Sequence, residues 1–183
     1  MPDFGKPAER NPHPVHSGAV SDIAQGAGAW VRIGIIHSPF RASSGTPIQP
    51  VYDETAEGVV EIFPEYAEGL MDVEGFERIW LIYRFDRAHP GRLRVVPFRD
   101  TVERGVFATR APARPNSIGL SCVRLIAVEG RRLRVTGVDI LDGTPLLDLK
   151  PYVPAFDAHP DSRAGWLDAT RAARTHADDR FGA

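Results

Sequence analysis

Short runs of alternating apolar residues, each closed by glycine or proline within about a dozen positions, dominate this chain and leave little room for long helices. The clearest run is FERIWLIYRFD. Ile79, Leu81, Tyr83 and Phe85 fall on one face, and Trp80 and Ile82 make the other face apolar too, so the strand is central. WVRIGIIHSPF sets Val31, Ile33 and Ile35 against Arg32, Gly34 and Ile36 until Ser38-Pro39 stops it, and GVVEIF (58–63) follows as a second strand. RLRVVPF (92–98) and GVFATR (105–110) are shorter. IGLSCVRLIAVEGRRLRVTGVDIL reads as a hairpin turning at Glu129-Gly130, and DILDGTPLLDLKPY as a strand broken by a tight Asp142-Gly143 turn. About seven such strands, with 17 glycines and 16 prolines between them, exclude a helical bundle and specify a mainly β fold, a single antiparallel barrel or sandwich.

The remaining segments fill in the domain plan. RASSGTPIQP is a loop, and PEYAEGLMDVEGF opens a short helix with Pro64 at its first position. DSRAGWLDATRAARTHADD predicts the one true helix, capped at Asp161 or Ser162. Its apolar face (Trp166, Leu167, Thr170) is narrow, which puts it at the periphery. Residues 1–29 show no periodicity and read as a loosely held arm, 30–155 as the barrel domain, and 156–183 as an extension carrying the helix. The chain has no apolar run near the ~18 residues of a spanning helix and no apolar core in its first residues, so neither a membrane protein nor a secreted one is expected. A single cysteine, Cys122, excludes an internal disulfide framework and is expected to be buried in its strand; the expected location is the cytoplasm.

Charge is unevenly distributed. Residues 84–134 carry twelve arginines against four acids, while the whole chain has a net charge of −2. Such a stretch suits an anionic partner, although a solvated arginine-rich surface accounts for it equally well.

Two segments carry chemistry. In ATRAPARPNSIGLS (108–121), Pro112 and Pro115 stiffen the backbone, and Arg110 and Arg114 offer guanidiniums to a phosphate or carboxylate. In DILDGTPLLDLKPY (139–152), Asp139, Asp142 and Asp148 lie close in sequence with Lys150. A carboxylate here could hold ribose hydroxyls or face a cation, and the plain alternative is a solvated hairpin. The spacing is not that of a calcium loop, and the six histidines form no metal-ligand pattern, so no metal is expected. There is no GxGxxG, P-loop or GxSxG, which withdraws support from Rossmann, P-loop and elbow-serine chemistry.

Taken in order, IGIIHSPF, TPIQP, FERIWLIYRF, GVFATRAPARPNSIGLS and DILDGTPLLDLKPYVP resemble the TsaA-like (YaeB-like) family across roughly residues 31–155. The resemblance implies a β-barrel methyltransferase that uses S-adenosyl-L-methionine to methylate N6 of threonylcarbamoyladenosine at position 37, in the anticodon loop of tRNA. It also implies a homodimer with the cofactor near the subunit interface. By position in the motifs, it assigns cofactor contacts to Gln49, Pro50, Val51, Asp86, Arg87, Arg110, Leu120 and the turn Asp139, Ile140, Leu141, Asp142, Gly143 and Thr144. Arg114 and Asn116 of the RPN motif would face the cofactor mouth or the RNA. No residue is identified as catalytic. The rival readings are a barrel that binds the cofactor without turning it over, as an RNA-binding or sensing module, and a small-molecule methyltransferase.

Overall fold

The structure, a computed structural model, describes residues 30–170 and 174–181. Residues 1–29, read as an arm, lie outside the described residues. Residues from Arg32 onward form one compact unit.

Six strands of that unit are β1 (Gly34–His37), β2 (Glu57–Ile62), β3 (Arg78–Arg84), β6 (Ile118–Glu129), β7 (Arg132–Thr136) and β8 (Thr144–Pro151). They close into a barrel of antiparallel neighbours in the order β1-β2-β7-β6-β3-β8. A separate two-stranded ribbon, β4 (Arg94–Val95) with β5 (Arg104–Gly105), lies between β3 and β6 in the chain. The period-two pattern decides which side chains go in. Ile36, Val60, Ile79, Leu81, Val123, Leu133, Val135 and Leu146 fill the barrel. β3 pairs with both β6 and β8, as its two apolar faces require of a central strand.

Closure depends on the long strand β6. Its residues 118–124 pair with β3 and 124–129 with β7, with an irregularity between Leu125 and Ala127 where the strand turns the corner. The expected hairpin is present, with Gly130 at φ +61 in its turn. β3 and β8 slip register between Ile82 and Tyr83. Just before β8, Gly143 takes φ +80, a conformation a side chain would strain.

The ribbon builds a second small core of Val95, Val106, Ala111, Ala113 and Phe181, with Phe98 packed edge-on against Phe181 at 5.0 Å between ring centroids. The end of the chain thus returns to cover the insertion between β3 and β6.

The fold differs from the sequence expectation in three places. GVFATR is mostly a 3-10 turn (Val106–Ala108) rather than a strand, because Val106 alone turns inward. Cys122 is half-buried, since it lies on the outer face of β6 opposite Trp80. Of 161–179, the described residues contain a 3-10 helix at Gly165–Ala169 and another beginning at Asp179; the only α-helix among them, Pro154–Asp157 (α1), comes earlier. A continuous helix is blocked at both ends. Gly165 sits at φ +64, and residues 175–177 are drawn into backbone bonds with Gly45, Thr46 and Ile48. A narrow apolar stripe cannot outweigh those bonds.

Candidate functional site

The turn that precedes β8 is locked from two sides. From the exit of β1, Ser38 donates its hydroxyl to the Ile140 carbonyl at 2.5 Å and its backbone N–H to Asp142 Oδ1 at 3.1 Å. Asp142 N–H bonds to the Phe40 carbonyl at 2.7 Å, and Gly143 N–H to the Ile36 carbonyl at 2.9 Å. From the end of β3, Arg87 donates to the Asp142 carbonyl at 2.6 Å. Thr144 closes the turn through its hydroxyl on the Leu141 carbonyl at 2.7 Å. The Asp142 carboxylate is occupied by its own chain: Arg41 pairs with it, and His37 Nδ1 stands 3.6 Å away.

Asp139, at the other end of the turn, faces the barrel. Ser121 of β6 donates its hydroxyl to Asp139 Oδ1 at 2.6 Å, and the Tyr83 hydroxyl of β3 lies 3.1 Å from Ser121 Oγ. Tyr83 and Ser121 are buried, at 3% and 1% exposure, whereas Asp139 keeps part of its surface open. Desolvation pushes the Asp139 carboxyl up to about 7, against the opposing effects of the Ser121 hydrogen bond and the nearby Arg110 charge. Burial, and then the Asp139 charge, raise the Tyr83 phenol well above its ordinary value. Arg110 is exposed and donates to the side-chain oxygen of Gln49, a neutral partner, while its charge acts on Asp139.

The structure therefore brings together Gln49, Arg110 and Asp139, and separately Arg87 and Asp142. Pro50 and Val51 form the 3-10 turn that follows Gln49, with Val51 exposed. Asp86 lies 3.8 Å from the Arg87 guanidinium, Ile140 is buried, and Leu120 is half exposed beside Ser121. Arg114 binds inward, from one guanidinium nitrogen to the carbonyls of Val106 (3.0 Å), Thr109 (2.8 Å) and Ala111 (3.4 Å). Asn116 is exposed, its carbonyl accepting from Ile118 N–H at 2.7 Å. Asp148 pairs with Lys150 at 2.7 Å on the outer surface.

Sequence reading missed Tyr83, Ser121 and Ser38. Ser121 carried a signal, since it is a polar position on the inward face of its strand, between Gly119 and Val123. An open surface concavity of about 540 Å³ lies over β1, β2 and β7, bordered by His37, Arg41, Arg134 and Asp142; neither Gln49, Arg110 nor Asp139 lines it. Among the described residues, no three His, Cys, Asp or Glu side chains are placed to share a metal ion, and no helix is long and apolar enough to cross a membrane.

Residues 35–158, which span the strands and both segments of the site, match the family model for the tRNA-methyltransferase O N-terminal domain. The chain belongs to this family. The tRNA-methyltransferase O family is the one the motif resemblance pointed to. A crystal structure of TrmO from Pseudomonas aeruginosa superposes with a TM-score of 0.66 at 42% identity, covering 78% of this chain and 63% of that one. A probable S-adenosyl-L-methionine-binding protein of Pyrococcus abyssi is 53% identical over 151 residues, 81% of this chain and 82% of its own length. The tRNA (adenine(37)-N6)-methyltransferase of Escherichia coli K12 is 34% identical over 152 residues, 78% of this chain and 65% of the enzyme. The chain thus spans just under two thirds of that enzyme and of the Pseudomonas protein.

Proposed function

We propose that this protein is an S-adenosyl-L-methionine-dependent methyltransferase acting on N6 of the adenine at position 37 of tRNA, in its threonylcarbamoyl form. The observation that carries the reading is the coincidence of the family match with one built site: the locked 139–143 turn, the enclosed Asp139 carboxyl, and an Arg110 guanidinium held out by Gln49.

The residues fit the cofactor's chemistry. Arg110, which makes no ion pair among the described residues, suits the carboxylate of the amino-acid tail, and Gln49 holds it in place without neutralising it. The 139–144 backbone, fixed by Ser38 and Arg87, suits the ribose and adenine, where a rigid edge lowers the ordering cost of binding. When bound, S-adenosyl-L-methionine supplies an electrophilic methyl group on a positive sulfur. The protein's main contribution is then to hold the acceptor nitrogen in line with that carbon.

For the RNA, Arg84, Arg92 and Arg132 are, besides Arg110, the arginines of the basic stretch that are exposed and make no ion pair among the described residues. Most of the others are paired, as Arg104 is with Asp100 at 2.8 Å and Arg131 with Glu61 at 3.7 Å. The exposed pairs, such as Arg94 with Glu103 and Arg124 with Glu77, are weak and exchange readily for phosphate. We assign residues 30–155 to the methyl-transferring barrel and 156–183 to an extension. A homodimer is the expected assembly, since Leu120 leaves an apolar surface beside Ser121 for a second subunit to cover.

The test is methyl transfer from labelled cofactor to tRNA carrying threonylcarbamoyladenosine, to tRNA with plain adenosine, and to free nucleosides. Label on N6 of the modified tRNA alone is expected. Tight cofactor binding with no product, or transfer to small molecules only, overturns the reading.

A further inference from the structure

The acceptor nitrogen of threonylcarbamoyladenosine is urea-like, so it is a poor nucleophile until its proton has somewhere to go. Among the described residues, one row of polar side chains runs from the inside of the barrel to the site. Tyr83 lies 3.1 Å from Ser121, Ser121 lies 2.6 Å from Asp139, and only Asp139 reaches the surface. We propose that Asp139 is the base that takes the N6 proton, and that Ser121 and Tyr83 are positioning residues that hold its carboxyl from behind. This rests on the methyl-transfer reading above.

Geometry favours Asp139 over the other titratable groups nearby. Asp142 is saturated by Ser38, Arg41 and His37. His37 is held between Asp142 and Glu61, on the side of the turn away from Ser121 in sequence and contact. Tyr83 is buried and kept neutral. The groups acting electrostatically on Asp139 are Arg110, from the 106–117 loop, which favours its anion, and Tyr83, from β3, whose own ionisation the carboxylate opposes. With its carboxyl lifted to about 7, Asp139 exists as a mixture of acid and anion near neutrality, which suits a group that must accept a proton and then release it.

The step balances. As N6 attacks, the N6–C bond forms while the S–C bond breaks, leaving its electron pair on sulfur. The N6–H electron pair stays on nitrogen, and the proton passes to the Asp139 carboxylate. The carboxylate anion and the sulfonium cation both end neutral.

The experiment uses the full chain, S-adenosyl-L-methionine and tRNA bearing threonylcarbamoyladenosine, with single-turnover rates measured across pH 5–9. In the wild type the rate should rise with pH and level off near pH 7. Asp139→Asn should lower the plateau by about 100-fold or more and abolish that limb, a loss far larger than any fall in calorimetric cofactor affinity. Ser121→Ala removes a hydrogen bond to the anion, so the limb should move to higher pH. In protein free of cofactor and RNA, carbon-13 NMR should show one carboxyl titrating near 7, lost in Asp139→Asn and moved upward in Ser121→Ala. Retention of the rate and its limb in Asp139→Asn, or a loss of cofactor affinity that matches the loss of rate, overturns the assignment. No transfer by the wild type overturns the methyl-transfer reading itself, and this assignment with it.

Discussion

Tyr83 and Gly119 face each other across β3 and β6, and the tyrosine ring fills the space where a side chain at 119 would stand. A Cβ on Gly119 would lie 2.2 Å from the ring. The glycine is there because the ring must cross it for the Tyr83 hydroxyl to reach Ser121. Gly119→Ala should therefore destabilise the protein by about 3 kcal/mol, through overpacking against a ring with no room to retreat. Chemical denaturation should show that loss, with Tyr83→Leu recovering part of it in the double variant and Tyr83→Phe recovering none.

Asp139 should make stability fall as pH rises. Its folded carboxyl is raised to about 7, whereas in the unfolded chain it returns to its ordinary value near 3.8. Below about pH 4 both states are protonated and the group is neutral to stability. Between about 4 and 7 the unfolded chain is the one that ionises, so stability declines, by about 4 kcal/mol in all once pH exceeds 7. Asp139→Asn removes the ionisation and should raise Tm far more at pH 8 than at pH 4.5, where only about 1 kcal/mol has been lost. Thermal unfolding at the two pH values measures the difference.

The Asp142 carboxylate holds the turn to the end of β1 through Ser38, Arg41 and His37. Asp142→Ala should loosen the 139–143 backbone and, on the proposed cofactor site, weaken S-adenosyl-L-methionine binding by about 1–3 kcal/mol. Arg110→Ala should weaken it similarly by removing the charge partner. Arg41→Ala, at an exposed pair, should cost under about 1 kcal/mol. Calorimetry on the three variants separates these cases.

Arg114 ties three carbonyls of its own loop together and lies over the exposed ring of Phe107 at 5.9 Å. Arg114→Ala should lower stability by about 1–3 kcal/mol and leave the salt dependence of tRNA binding unchanged. Replacing Arg84, Arg92 and Arg132 with alanine should instead flatten the log–log salt slope by about one unit for each arginine that neutralises a phosphate. Filter binding between about 50 and 200 mM salt tests both halves.

Alternation along the chain was enough to read a mainly β fold, and the motif resemblance pointed to a barrel rather than a sandwich. A two-residue period with glycine and proline punctuation leaves few ways to bury Ile79, Leu81, Val123, Val135 and Leu146 other than strands. The motif resemblance pointed to Gln49, Arg110 and the 139–144 turn, and the structure places Gln49 in contact with Arg110. Which acid of the 139–148 segment meets the buried hydroxyls was not legible, because Asp139, Asp142 and Asp148 differ only in their neighbours from β1, β6 and β8. Nor could spacing foretell that Tyr83 and Ser121, 38 positions apart, meet inside the barrel, or that Arg114 turns inward while Arg110 stays out. The 161–179 segment misled for the same reason. Its local helix propensity is a weak preference, and backbone bonds to the 45–48 loop, set by tertiary contact, override it. Periodicity reports which face of an element is buried. Partner choice and ionisation depend on what the rest of the chain brings against that face.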